Sequence, residues 1–139
     1  MSRRTARRHA FFLIFQIGFH REFDPSLQTK IYLEDKEAVP EEDREFIHSV
    51  VNGAYDFLSE IDALIAKNLS GWEIDRINKT DLAIIRLAVY EMLYDASIPP
   101  GVSINEAVEL AKQYGTDESY QFVNGILGRV YELTAACDG

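Results

Sequence analysis

The sequence predicts an all-α fold of about six or seven helices, and three observations carry that prediction. Apolar residues recur every three or four positions along most of the chain, and the alternation of a half-buried strand is absent. The clear breaks, at Pro25, Pro40, Pro99-Pro100-Gly101 and Gly115, punctuate these periodic runs. Between Leu82 and Tyr94 only Arg86 and Glu91 are charged, the pattern of a helix covered on nearly every side. That stretch is the expected centre of the molecule.

The first helix is expected from Ser2 or Thr5 to about His20. On it Arg3, Arg4, Arg7 and Arg8 share an arc about 140° wide, beside a stripe of Ala6, Ala10, Leu13 and Ile17. Phe11, Phe12, Phe15 and Phe19 make its later half apolar almost all round, so that half is buried or meets a partner. A short helix around Ser26–Leu33 follows, with Leu27 and Ile31 expected to face inward. One long helix then runs from Pro40 to about Leu69, its start suited to Glu41, Glu42 and Asp43 by the helix dipole. Gly53 within it marks a close crossing or a bend. Gly71-Trp72 closes it, and a turn through Arg76 leads to Thr80 or Asp81, which opens the buried helix. Arg86 there needs a carboxylate, from Glu91 or Glu106.

Ser103 and Glu106 have the spacing of a capping box, and Ile104, Ala107, Val108 and Ala111 form the stripe of the next helix. Gly115 ends it, best suited to a left-handed cap. Thr116 or Asp117 caps the last helix, with Val123, Ile126, Leu127 and Val130 inward. Gly125 and Gly128 are costly in a helix unless another backbone comes close.

The 139 residues fit one domain spanning 1–139. The only cysteine, Cys137, excludes an internal disulfide and a cysteine metal cluster. His9, His20 and His48 share no metal-ligand spacing, and no phosphate loop, nucleophile elbow or zinc signature occurs. The sequence therefore predicts no catalytic residue, no metal, no cofactor and no enzymatic activity. No run approaches a membrane span. The arginine-rich start slightly resembles a transit peptide but lacks an apolar core with a cleavage site, which makes the cytoplasm the expected location.

The formal charge of −9 argues against nucleic acid until its distribution is considered. Residues 1–21 hold five arginines and no acid, while the other 118 carry nine basic and 23 acidic side chains, a balance of −14. With a Debye length of about 8 Å at physiological salt, a basic element can act locally on an acidic body. Guanidinium groups at 3, 4, 7 and 8 can hold phosphates and stack on bases; the alternative is a solubilising terminus.

The stretches RRTARRHAFFLIFQ, INKTDLAIIRLAVYEML, PGVSINEAVELAKQYG and FVNGILGRV, in that order, resemble the NusB family of bacterial transcription antitermination factors. The resemblance covers nearly the whole chain and is weakest over residues 24–40. It implies two small helix bundles packed together. It also implies joint binding with NusE, a small-subunit ribosomal protein, to single-stranded boxA RNA within the RNA polymerase antitermination complex. By position, Arg3, Arg4, Arg7 and Arg8 would hold the RNA backbone. Tyr114, Gly115, Glu118, Gln121 and Phe122 would contact RNA at the last hairpin, and Phe15 and Asp81 would lie towards NusE. The chain departs from the family with Phe12-Leu13-Ile14-Phe15 where Gln-Xaa-Leu-Tyr is frequent, and with Glu118 where Asp is frequent. Some members form homodimers that cover the RNA surface, and the apolar first helix admits the same here. Two rival readings are the accessory domain of ribosomal RNA cytosine methyltransferases, whose catalytic module is missing here, and a protein–protein module without RNA.

Overall fold

The computed structural model describes residues 2–19, 22–69 and 73–138, with side chains up to residue 134. His20, Gly71, Trp72 and the side chain of Cys137 lie outside the described residues. The helices are α1 (Arg3–Ile17), α2 (Pro25–Leu33), α3 (Glu41–Asp56), α4 (Leu58–Lys67), α5 (Lys79–Tyr94), α6 (Pro100–Tyr114) and α7 (Ser119–Asp138), with a 3-10 turn at Ile74–Arg76. Among the described residues there is no strand, and no helix is long and apolar enough to cross a membrane. α1, α2 and α3 pack as one bundle, and α4 to α7 as a second. α5 joins the two, touching α1 and α3 on one side and α4, α6 and α7 on the other. Its residues Leu82 to Ile85 and Leu87 to Val89 are buried, as its composition requires.

Local chemistry sets the helix ends. Ser2 caps α1 by accepting from the Thr5 N–H at 3.2 Å. Asp24 caps α2 by accepting from the Leu27 N–H at 3.1 Å, with Pro25 at the first turn. That start turns Thr29 and Leu33 inward and leaves Leu27 and Ile31 outside, 49% and 51% exposed, the reverse of the sequence expectation. Both pairs are spaced i, i+4, so periodicity alone favours neither; Thr29 tolerates burial because its hydroxyl donates to the Pro25 carbonyl at 2.7 Å.

The expected long helix is two. Phe57, at φ −103° and ψ 19°, separates α3 from α4. Gly53 serves a close crossing, since a Cβ there would lie 2.3 Å from the Tyr90 hydroxyl on α5. α5 is opened by Asn78 rather than Thr80 or Asp81: Asn78 Oδ1 accepts from the Asp81 N–H at 2.8 Å, and Asn78 Nδ2 donates to Asp81 Oδ2 at 3.0 Å. Arg86 pairs with Asp62 of α4 through two bonds of 2.9 and 2.8 Å, not with Glu91 or Glu106. Glu91, five residues on, is rotated by about 140° and faces α1.

The capping box at Ser103 does not form. Pro100 starts α6 a turn earlier, which places Ser103 inside the helix and frees Glu106 to reach α1. Gly115 is extended (φ −93°, ψ −168°), not left-handed, and the Ser119 hydroxyl accepts from the Thr116 N–H across the turn at 2.9 Å. Val123, Ile126, Leu127 and Val130 are all buried.

No backbone approaches Gly128, where an added Cβ meets nothing within 4 Å, and at Gly125 it meets only the end of Arg129. Gly128→Ala is therefore expected to stabilise the protein by about 1 kcal/mol through helix propensity. A urea midpoint that stays put or falls would place an unseen constraint there.

Candidate nucleic-acid interface

Side chains bridge α1 and α6 in parallel order, Arg4 meeting Glu106 and Phe11 and Phe12 meeting Tyr114. The four arginines of α1 divide along this seam. Arg4, 63% exposed, makes a bidentate pair with Glu106 at 2.9 and 3.0 Å. Arg8 is half-buried and, with Arg4, Leu110 and Gln113, lines a niche of about 20 Å³. Arg3 turns towards α3, its guanidinium 4.0 Å from the Phe46 ring centroid.

Arg7 corrects the sequence reading. It is 4% exposed, donates to Glu91 Oε1 at 2.8 Å and lies 3.9 Å from Glu106, so although it lines the niche beside Arg4 and Arg8 its guanidinium is engaged in a buried ion pair rather than free at the surface. Burial pushes the Glu91 carboxyl above its ordinary range, against the opposing pull of Arg7, and Glu91 Oε2 has no hydrogen-bond partner. A signal for this was present: Arg7 lies in line with Phe11 and Ile14, and Glu91, the lone acid between Leu82 and Tyr94, requires a cation.

The seam leads into the α6–α7 hairpin. Tyr114 is half-buried, its ring centroid 5.4 Å from those of both Phe11 and Phe12. Phe11 belongs to the core and Phe12 packs against it. Tyr114, Gly115 and Thr116 then line a depression of about 290 Å³ with Phe15, Lys79 and Thr80. Beyond it, Glu118 and Phe122 line a cleft of about 320 Å³ with Arg76, Asn78, Asp81 and Thr116. Glu118 and Gln121 are exposed, whereas Phe122 is half-buried and packs against the core. Phe15 is partly buried, with the Phe19 ring 4.9 Å away. Asp81 is 5% exposed, and its Oδ1 has no hydrogen-bond partner.

The niche beside Arg4 and Arg8 ends at Gln113, next in sequence to Tyr114 of the depression, and the depression and the cleft share Asn78 and Thr116, whereas Arg3 lies apart against α3. Sequence reasoning missed Gln113, Arg76 and Lys79 in these hollows, because each is a single polar residue that only packing brings there. Among the described residues no cluster of His, Cys, Asp or Glu could hold a metal. Burial first, then Lys36 and Arg8, lower the pKa of His9, whose Nδ1 lies 2.7 Å from the Tyr32 hydroxyl.

A two-bundle helical frame with arginines and aromatic rings gathered along the α1–α6 seam and the α6–α7 hairpin defines an all-α class of protein. The NusB family model matches residues 4–132, and the chain belongs to the NusB family. It is 46% identical over 133 residues to the transcription antitermination protein NusB of Acetivibrio thermocellus, covering 96% of this chain and 90% of that one. NusB from T. maritima has the same fold at TM-score 0.86 and 38% identity, over 95% of this chain and 92% of that one. A complex of antitermination factors NusB and NusE with dsRNA contains a chain similar at TM-score 0.84 and 30% identity, over 94% of this chain and 96% of that one.

Proposed function

We propose that the chain, as one domain over residues 1–139, is a non-enzymatic cytoplasmic antitermination factor that binds boxA-type single-stranded RNA together with NusE. In this reading it joins the RNA polymerase antitermination complex and promotes read-through, notably of ribosomal RNA operons. The observation that carries the reading is the succession of a niche at Arg4, Arg8 and Gln113, a depression at Tyr114 and a cleft at Glu118 and Phe122, the last two sharing Asn78 and Thr116. Arg3, Arg4 and Arg8 hold phosphates and set register, while Tyr114, Gly115, Glu118, Gln121 and Phe122 meet splayed bases. Phe15 and Asp81 face NusE beside Lys79. Exposed Phe19 beside Phe15 offers apolar surface for a homodimer in the absence of partners.

Three surface arginines instead of four lower the expected salt dependence. If about three phosphates are neutralised, log affinity should fall with log salt with a slope near −2. The test titrates a boxA-type strand, a scrambled strand and a duplex across salt, with and without NusE, following mobility and molecular mass. Preference for the boxA-type strand that grows with NusE is expected. Equal, weak binding of all three RNAs would overturn the reading.

Glu106 occupies the guanidinium that this function needs. Glu106→Gln is expected to release Arg4 and remove an anion beside the phosphate path, tightening RNA binding about threefold or more. Unchanged affinity in a normally folded variant would take Arg4 off the RNA path.

A further inference from the structure

The break between α3 and α4 has a consequence at the other end of α5. It turns Phe57 outward onto Tyr94: the two rings lie 4.1 Å apart at 13°, each about two-fifths exposed (40% and 39%). Tyr90 extends the ladder, 5.6 Å from Tyr94 at 30°. Aromatic pairs more often settle edge-on or offset; here Tyr94 stacks on both Phe57 and Tyr90, and Phe57 and Tyr94 remain partly exposed.

Carboxylates rim this ladder. Asp56 adjoins Phe57, Glu60 follows one turn later on α4, and Asp95 adjoins Tyr94. Burial first, then the charge of Glu60, raise the Tyr94 hydroxyl; burial first, then Asp95 and later Asp56, raise that of Tyr90. Among the described residues, neither Asp56 nor Glu60 forms an ion pair, and the nearby cation Arg86 is held by Asp62. The Asp95 carboxylate accepts from the Ser97 N–H and hydroxyl.

We infer that the Phe57–Tyr94–Tyr90 ladder, with Asp56, Glu60 and Asp95, is a docking surface for an arginine- or lysine-bearing protein segment. Ring faces attract a cation and the carboxylates add to that attraction. The same charges repel phosphate, which sets this surface apart from the RNA surface. It also lies 13 residues along α5 from Asp81, about 20 Å at the helical rise, so a partner here leaves the RNA surface free. The inference goes beyond the RNA reading and does not depend on it.

The test uses the full chain and a fluorescein-labelled ten-residue arginine–glycine peptide, followed by anisotropy and by aromatic-ring NMR. Binding should shift the Phe57 and Tyr94 ring signals and weaken with salt. Tyr94→Ala should lower affinity at least threefold. Asp56→Asn with Glu60→Gln should do the same and flatten the salt dependence. Glu34→Gln with Glu37→Gln, exposed acids elsewhere, should leave binding intact. If Tyr94→Ala fails to fold, Phe57→Ala and the charge pair carry the test alone. Equal loss in the Glu34/Glu37 control would mean diffuse attraction and overturn the proposal. So would parent-like binding by the ladder variants, or ring shifts caused by a ten-nucleotide RNA instead of the peptide. A dimer that dissociates on Tyr94→Ala would also overturn it, by assigning the face to a second copy of the chain.

Discussion

Arg7→Ala is expected to destabilise the protein by about 3–5 kcal/mol, the usual cost of breaking a buried ion pair from one side. The magnitude follows from what stays behind. Glu91 is 1% exposed, its Oε1 holds Arg7 at 2.8 Å, and its Oε2 has no hydrogen-bond partner. Without Arg7 the carboxylate is a lone charge between α1, α5 and α6, and its pKa rises further above the ordinary value. Between the unfolded and the raised folded pKa the folded state then binds more protons than the unfolded one, so stability falls as pH rises. The loss should therefore be largest at neutral pH and shrink as pH falls towards the ordinary carboxylate range. Urea melts of parent and variant at several pH values measure it. Arg7→Met combined with Glu91→Leu should recover most of the lost stability, because replacing both partners leaves no stranded charge. A loss under about 1 kcal/mol for Arg7→Ala would mean that water reaches Glu91 and that its charge is not stranded in the core.

This result bears on how much of the molecule was legible in the sequence. The buried helix α5 could be read from composition alone, because only two charges interrupt the run from Leu82 to Tyr94. The stripe of α7 could be read from its spacing, and all four of its residues are buried. Faces and partners were harder. α2 carries two i, i+4 pairs, and only the Asp24 cap decides which turns inward. The stop at Phe57 has no proline to announce it; it comes one turn after Gly53, where α3 crosses α5 at Tyr90. The arginine arc was right as geometry, but one helix face is divided among neighbours. Arg3 meets α3, Arg4 meets α6, and Arg7 enters the core. Periodicity gives directions around an axis, and the neighbouring helices decide which directions are surface.

Gly115→Ala is expected to cost about 1–3 kcal/mol and to weaken the preference for boxA-type RNA over a scrambled strand. The backbone at Gly115 is extended, a conformation open to any residue, so the requirement is for space. An added Cβ would lie 2.5 Å from the Ser119 Cβ and 2.7 Å from the Ala111 carbonyl oxygen, which already accepts the Gly115 N–H at 2.9 Å. Relief requires α7 to move away from α6, and Ser119 cannot move without losing the Thr116 N–H. The hairpin would then carry Tyr114, Gln121 and Phe122 out of line with Arg4 and Arg8. Phosphate contacts on α1 would persist, so the salt slope should stay near that of the parent while discrimination between the two strands shrinks. Ser119→Gly in the same chain removes one of the two clashes and should restore part of the stability. An unchanged melt with unchanged discrimination would show that the elbow has room to spare, and that base reading does not depend on its register.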